Sequence, residues 1–328
     1  NGAGAAAMGG TGTTTFFNLT VGKTAAVAVT CTATMTINGN FTVSGSGAFT
    51  ATGGTVTFGG TVAQTITDTS TGAAPRITFD ALTVNKGANG VTTAADITIN
   101  STWTNTAGNF TATTGTVTYA GNTNVNHAIN GGTVTYNNLT IAKGAVDTLT
   151  NTAATTWFVN GDYSCTSGSF DMNAGTIQFS GGTAATISHA GAGTTTFFNL
   201  TIDKTAATVS TTSTWGVEST MTVQSTATFQ ATAGTVSFVN ATAGTISNTS
   251  AAGAPQLTFF NMVINKSGGA AVTTSSSITI AGNYTNTAGD LTCSAPSTLT
   301  FAGTVNRLST VTANLWLNGL ILAVFLLG

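Results

Sequence analysis

One phrase returns five times along this chain, and that recurrence limits what it can fold into. FFNLTVGK at 16–23 comes back as FDALTVNK at 79–86, YNNLTIAK at 136–143, FFNLTIDK at 197–204 and FFNMVINK at 259–266. The closing residues Lys23, Lys86, Lys143, Lys204 and Lys266 are every lysine in the chain, at steps of 63, 57, 61 and 62 residues. A second phrase keeps the same beat: GTVTF at 54–58, GTVTY at 115–119, GTIQF at 175–179, GTVSF at 234–238 and STLTF at 297–301. A fixed period of this size is the mark of a repeat architecture, in which each unit buries its apolar face against its neighbours. Such chains usually build a long surface rather than a single reaction centre.

Inside each repeat the local period is two. Thr55-Val56-Thr57-Phe58, Asp96-Ile97-Thr98-Ile99 and Ser277-Ile278-Thr279-Ile280 all alternate polar with apolar, the pattern of a half-buried strand. No segment sustains a helical spacing. Gly-Gly, Asn-Gly and Ala-Gly pairs break the strands, as turn signals do. The expected fold is all-β: a parallel β-solenoid (β-helix) of about fifteen coils of roughly 20 residues, in five repeats of ~61 residues, three coils to a repeat. Three whole coils would set equivalent lysines ~14 Å apart along the axis. Residues 1–12 are expected to form an irregular N-terminal segment, 13–310 the five-repeat solenoid, and 311–328 an apolar C-terminal segment.

Composition narrows the function classes. Charged residues are 5% of the 328, against about 25% in an average soluble domain. Disorder is a poor fit, because 41% of the chain is hydrophobic and those residues alternate. Net charge is −2 with no basic cluster, so nucleic acid is not an expected partner. Cys31, Cys165 and Cys293 are far apart and lack zinc spacing; they read as buried small apolar residues, with one bridging pair as the alternative. The chain opens at Asn1 without an initiator methionine or signal sequence, so a processed chain or a fragment is expected.

Aromatic residues recur with the repeats. Phe41, Trp103, Tyr163 and Tyr284 hold matching positions, with Met221 in the fourth repeat, and Phe49, Phe110, Phe170 and Phe229 each precede a GTVTF-type glycine. They are expected to form structural ladders in the core or at its edge. At the C-terminal end threonine gives way to Leu315, Trp316 and Leu317, then Leu320, Ile321, Leu322, Val324, Phe325, Leu326 and Leu327. The run 320–327 is too short to span a bilayer, which takes about 20 residues. A buried final strand or cap, a strand that docks on a neighbouring subunit, and a truncated anchor are the alternatives, and the run is the candidate assembly segment.

Material for catalysis is sparse. The two histidines, His127 and His189, stand in corresponding segments without a nearby ligand cluster and read as exposed turn residues. The acids Asp68, Asp80, Asp96, Asp147, Asp162, Asp171, Asp203, Glu218 and Asp290 are spread over all repeats. Glycoside hydrolysis needs two carboxylates at a set separation, which only stacked coils could supply. No catalytic residue, metal ligand or cofactor is therefore expected. The repeated lysine reads as a solvated strand end that discourages edge pairing, or as a partner for an acid such as Asp203. Ten asparagines (Asn18, Asn40, Asn100, Asn109, Asn138, Asn199, Asn240, Asn248, Asn265 and Asn283) begin N-x-S/T triplets, acceptors for glycans only in an exported chain.

The phrases GTVTFGG, FFNLTI-x-K and ITINGN resemble the β-strand-repeat surface proteins of bacteria and, more loosely, filamentous-haemagglutinin-like adhesins and autotransporter passengers, over residues 13–305. The resemblance implies an extracellular or cell-surface location and a non-enzymatic structural role, as a subunit of a surface fibre or layer. Its partners would be further copies of itself end to end, with glycans or other surface proteins as additional partners and no membrane span in this chain. The alternative is a fragment of a long adhesin that binds glycan or host protein through its lateral face.

Overall fold

The structure is a computed structural model. It describes all residues except 1, 73, 88, 130, 253–255, 303–307, 311–314, 319–322 and 325–328, and side chains except those of 126–129 and the strands beyond 302. The described residues form strands and turns with no helix. The chain divides into two compact units, Asn1–Val159 with Ser167–Ser169, and Asn160–Thr166 with Phe170–Gly328.

Each unit is a parallel β-solenoid with three strands to a turn. In the first unit Ala28–Cys31 pairs in parallel with Ala6–Met8 on one side and Ala48–Ala51 on the other. Met35–Ile37 likewise lies between Thr14–Phe16 and Thr55–Phe58, and Phe41–Gly45 between Leu19–Lys23 and Gln64–Asp68. The second unit repeats the scheme: Thr235–Asn240 lies between Trp215–Val217 and Asn261–Lys266. Parallel neighbours ~4.8 Å apart satisfy one another's backbone and stack like side chains.

The solenoid has about 13 turns, slightly fewer than the fifteen expected, and the strand count explains why. Seven strands separate Leu19–Lys23 from the next lysine strand, Ala81–Asn85: Ala28–Cys31, Met35–Ile37, Phe41–Gly45, Ala48–Ala51, Thr55–Phe58, Gln64–Asp68 and Ile77–Phe79. Seven again lie between Ala81–Asn85 and Asn138–Ala142, and seven between Thr195–Lys204 and Asn261–Lys266. The repeat is therefore eight strands, or two and two-thirds turns. Turns are also longer than assumed, with Phe49 in register with Ile77 and Phe229 with Leu257.

A repeat that is not a whole number of turns shifts to another face each time. In the first unit Lys23 belongs to the face of Phe41–Gly45, Lys86 to that of Thr55–Phe58, and Lys143 to that of Thr116–Tyr119. In the second unit Lys204 shares a face with Thr220–Val223 and Lys266 with Thr235–Asn240. Equivalent lysines do not line up in one file.

The aromatic residues obey the same rule. Phe41, Trp103, Tyr163, Tyr284, Phe49, Phe110, Phe170 and Phe229 are all fully buried, but they form clusters across corners rather than single-file ladders. Phe41 meets Phe49 at 5.1 Å between ring centroids, Trp103 meets Phe110 at 4.7 Å, and Tyr163 meets Phe170 at 5.7 Å. Phe58 and Phe79 complete the first cluster. Edge-on contacts of this kind add to the burial of the rings. Cys31, Cys165 and Cys293 are buried free thiols, so the bridging pair does not form.

Candidate functional site

The most specific chemistry in the fold lies at the repeated lysine, and it is the reverse of a solvated strand end. Lys86, Lys143, Lys204 and Lys266 are at most 1% exposed and Lys23 is 6% exposed. Alternation places them there: in Leu82-Thr83-Val84-Asn85-Lys86 the inward residues are Leu82, Val84 and the lysine. A buried ammonium needs hydrogen-bond acceptors, and the corner of the coil below supplies them.

Each lysine from Lys86 onward reaches back to the carbonyl that follows the GTVTF-type phrase beneath it, while Lys23 donates to Gly4 O. Lys86 Nζ donates to Gly59 O at 2.6 Å, Lys143 to Ala120 O at 2.5 Å, Lys204 to Ser180 O at 2.6 Å and Lys266 to Val239 O at 2.6 Å. Lys143 and Lys204 also reach a deeper coil, at Asn100 O (3.4 Å) and Asn160 O (2.5 Å), and Lys266 donates to Glu218 O. The two sequence phrases are thus one device. Val56, Thr57 and Phe58 lie in register under Leu82, Thr83 and Val84, Val117 and Tyr119 under Leu139 and Ile141, Ile177 and Phe179 under Leu200 and Ile202, and Val236 and Phe238 under Met262 and Ile264.

Burial pushes the ammonium groups of Lys86 and Lys143 down from their ordinary value, with Asp147 opposing the shift at Lys143. It takes Lys204 and Lys266 down to about 8, against the pull of Asp162 and Glu218 respectively. The coil above must leave room for the lysine stem. Gly108 and Gly168 do so at φ 80° and 71°, where a Cβ would lie 2.5 Å from Lys86 Cβ and 2.6 Å from Lys143 Cβ.

Asparagine and aspartate have a second corner role. Their Oδ1 atoms accept the N–H that opens a strand one coil on: Asn18 from Asn40 (2.7 Å), Asn40 from Thr65 (3.0 Å), Asp96 from Thr116 (2.7 Å), Asn109 from Thr133 (2.9 Å), Asp162 from Thr186 (2.8 Å) and Asn199 from Thr220 (3.1 Å). Several N-x-S/T asparagines are therefore held in backbone ladders. Asp203 faces away from Lys204 and accepts from Gln178 (3.0 Å) and the Ser225 hydroxyl. That is the alternation again: adjacent residues of a strand point to opposite sides.

Two acids of the second unit lie near enough for their charges to interact. Asp171 is in register with Thr196, and Thr196 with Gly216, two residues before Glu218. Burial raises the carboxyl of Asp171 above its ordinary value. Burial and then the charge of Asp171 raise that of Glu218, while Lys266 and a hydrogen bond with Asn240 hold it back. Nearby, His189, Gly191, Thr194–Thr196, Thr214–Gly216, Ser237 and Val239 are among the residues lining an open groove of about 420 Å³. Neither acid lines it. His189 is no free turn residue: it ends the strand Ala185–His189, with Nδ1 3.1 Å from Thr195 Oγ1 and Nε2 3.0 Å from Gly191 O. His127 lies in the strand Val125–Ile129, its side chain outside the description. Among the described residues no group of three His, Cys, Asp or Glu converges on a metal position.

At the C-terminal end the backbone continues the coil. Leu315–Asn318, which includes Trp316 and Leu317, pairs with Asp290–Ser294, and Ala323–Val324 pairs with Leu299–Phe301. Leu320, Ile321, Leu322, Phe325, Leu326 and Leu327 lie outside the described residues. Among the described residues no helix is long and apolar enough to cross a membrane. No protein-family model matches the chain. No curated protein and no solved structure matches it either.

Proposed function

We propose that the chain is a non-enzymatic extracellular structural protein, a subunit of a surface fibre or layer that assembles end to end through the open strand edges of its coils and its apolar C-terminal segment. The observation that carries this is the parallel stack of coils: Ala28–Cys31, Met35–Ile37 and Phe41–Gly45 each pair with a strand on both sides, so backbone contacts run from coil to coil. An unpaired parallel edge is a template for a further strand. The corner chemistry supports the same reading, since lysine, asparagine and aspartate bind backbone rather than converge on a substrate.

Sedimentation across a dilution series tests this, with Thr15→Pro as the edge-blocking variant. Thr14 N donates to Thr34 O of the next coil, so by alternation the N–H of Thr15 faces the open edge. Proline there removes an edge donor and leaves the existing ladder alone. The chain is expected to form concentration-dependent oligomers that the variant forms at least tenfold less readily. A chain that stays monomeric at every concentration refutes the assignment.

The groove beside His189 favours a second reading, an adhesin whose lateral face takes glycan or host protein. Gly216 leaves a dimple between Thr196, Ser237 and Val239, in a groove that His189 and further threonines also line. Glycan-array binding abolished by Gly216→Thr supports that role; an array without binding removes it.

A further inference from the structure

The corner beneath Lys266 differs from those beneath Lys86, Lys143 and Lys204 at two positions at once. Lys204 stands in register over Gly181, and Lys266 over Asn240. The registers of Val84 over Phe58 and Ile141 over Tyr119, carried two residues on, set Lys86 over Gly60 and Lys143 over Gly121. All four residues under the lysines have a positive φ: 78° at Gly60, 84° at Gly121, 84° at Gly181 and 67° at Asn240. Three are the glycine that such a backbone favours, and the fourth is an asparagine.

The next coil down changes as well. Asn38, Asn100 and Asn160 lie beneath Gly60, Gly121 and Gly181. Under Asn240 the equivalent place is held by Glu218, the only glutamate in the chain. It follows Val217, which is in register under Phe238 as Ile99 is under Tyr119 and Ile37 under Phe58. Lys266 Nζ donates to Glu218 O as Lys143 donates to Asn100 O and Lys204 to Asn160 O. Asparagine tolerates a left-handed backbone better than most side chains, so conformation alone permits Asn240. It does not call for a glutamate one coil below. That glutamate is only 8% exposed, is hydrogen-bonded to the Asn240 side chain and feels the charge of Lys266.

We propose that Glu218, Asn240 and Lys266 form a modification site, at which Lys266 Nζ joins Asn240 Cγ in an amide cross-link between neighbouring coils. The corner holds the three groups this acyl transfer needs: an amine nucleophile, a carboxamide and a carboxyl group to carry protons. The Nζ lone pair forms a bond to Cγ, and the Cγ–Nδ2 bond breaks. Glu218 carries two protons from the lysine ammonium to Nδ2, which leaves as ammonium. No oxidant, reductant or cofactor enters the balance. Burial takes Lys266 down to about 8 against the pull of Glu218, which makes the free amine easier to reach. Glycine offers no carboxamide, so Lys86, Lys143 and Lys204 stay unmodified. Joined in this way Lys266 no longer titrates, and Lys204 alone keeps a value of about 8.

Tryptic digestion of the denatured chain with mass measurement tests the site. Lys204, Lys266 and Arg307 are consecutive cleavage points, and trypsin does not cut after an acylated lysine. Residues 205–307 are expected as one peptide, lighter by one ammonia, about 17 Da. Cleavage after Lys86, Lys143 and Lys204 is the control within the same digest. Asn240→Gly, which restores the other three corners, and Glu218→Gln are each expected to give at least about tenfold less of the joined peptide. Separate peptides 205–266 and 267–307 of full mass from the unsubstituted chain overturn the proposal. Ammonia lost from 205–266 with Lys266 still cut overturns it too, since Asn240 has then closed on its own backbone. An undiminished joined peptide from Glu218→Gln overturns the proton-carrying role of Glu218.

Discussion

The repeated lysine is the residue on which most of this fold's polar chemistry turns. Its carbonyl partners predict that Lys143→Met strands Ala120 O and Asn100 O in a buried corner, at a cost of about 1–3 kcal/mol for an unsatisfied buried group; urea unfolding of the variant measures it. Lys204 and Lys266 give a pH signature. Their folded-state value of about 8 lies below the ordinary 10.5, so burying the charged form opposes folding at neutral pH. Between about pH 8 and 10.5 the unfolded chain binds more protons than the folded one, and stability rises with pH. Thermal melts across that window are expected to show the rise, and Lys204→Met with Lys266→Met to remove it. Backbone conformation gives a third expectation. Ala206 sits at φ 52° and is exposed, so Ala206→Gly is expected to stabilise by about 1 kcal/mol, relieving a left-handed non-glycine residue. The lysine's inward direction was readable in the sequence, because it stands in phase with Leu82 and Val84. The general habit of charges to seek solvent outweighed that signal; what the sequence could not display was the carbonyl of the coil below, Gly59 O for Lys86, which makes the burial tolerable.

At the level of strands, period two and the turn residues were enough to place nearly every alternating segment in a coil. Val56 and Phe58, or Ile97 and Ile99, are buried as their alternation requires. Turn number was harder to read, because two phrases per repeat do not reveal that a repeat holds eight strands. The count depends on register, which is set where Phe49 meets Ile77 after a long corner rather than by local pattern. The acid pair was equally hidden: Asp171 and Glu218 are far apart in sequence, and only the stack Asp171, Thr196, Gly216 brings their strands onto one face. Packing within the coils predicts a clear contrast. Phe58 is fully buried and touches Phe41 and Phe79, so Phe58→Ala should cost about 3–5 kcal/mol by leaving a cavity. Phe17 is 66% exposed, and Phe17→Ser should change stability by less than about 0.5 kcal/mol. Chemical denaturation of the two variants checks both.

For the molecule as a whole, a three-strand turn and an eight-strand repeat mean that like surfaces recur on successive faces. Within each unit no face collects all the equivalent positions, which suits a scaffold whose contacts run along the strand stack better than one with a single lateral site. The account therefore stands or falls on assembly along that direction. Negative-stain electron microscopy of the purified chain across a dilution series addresses it most directly. Filaments that lengthen with concentration, and that Thr15→Pro shortens, are the predicted result. Isolated particles of constant size at every concentration would contradict it and leave the groove beside His189 as the feature to pursue.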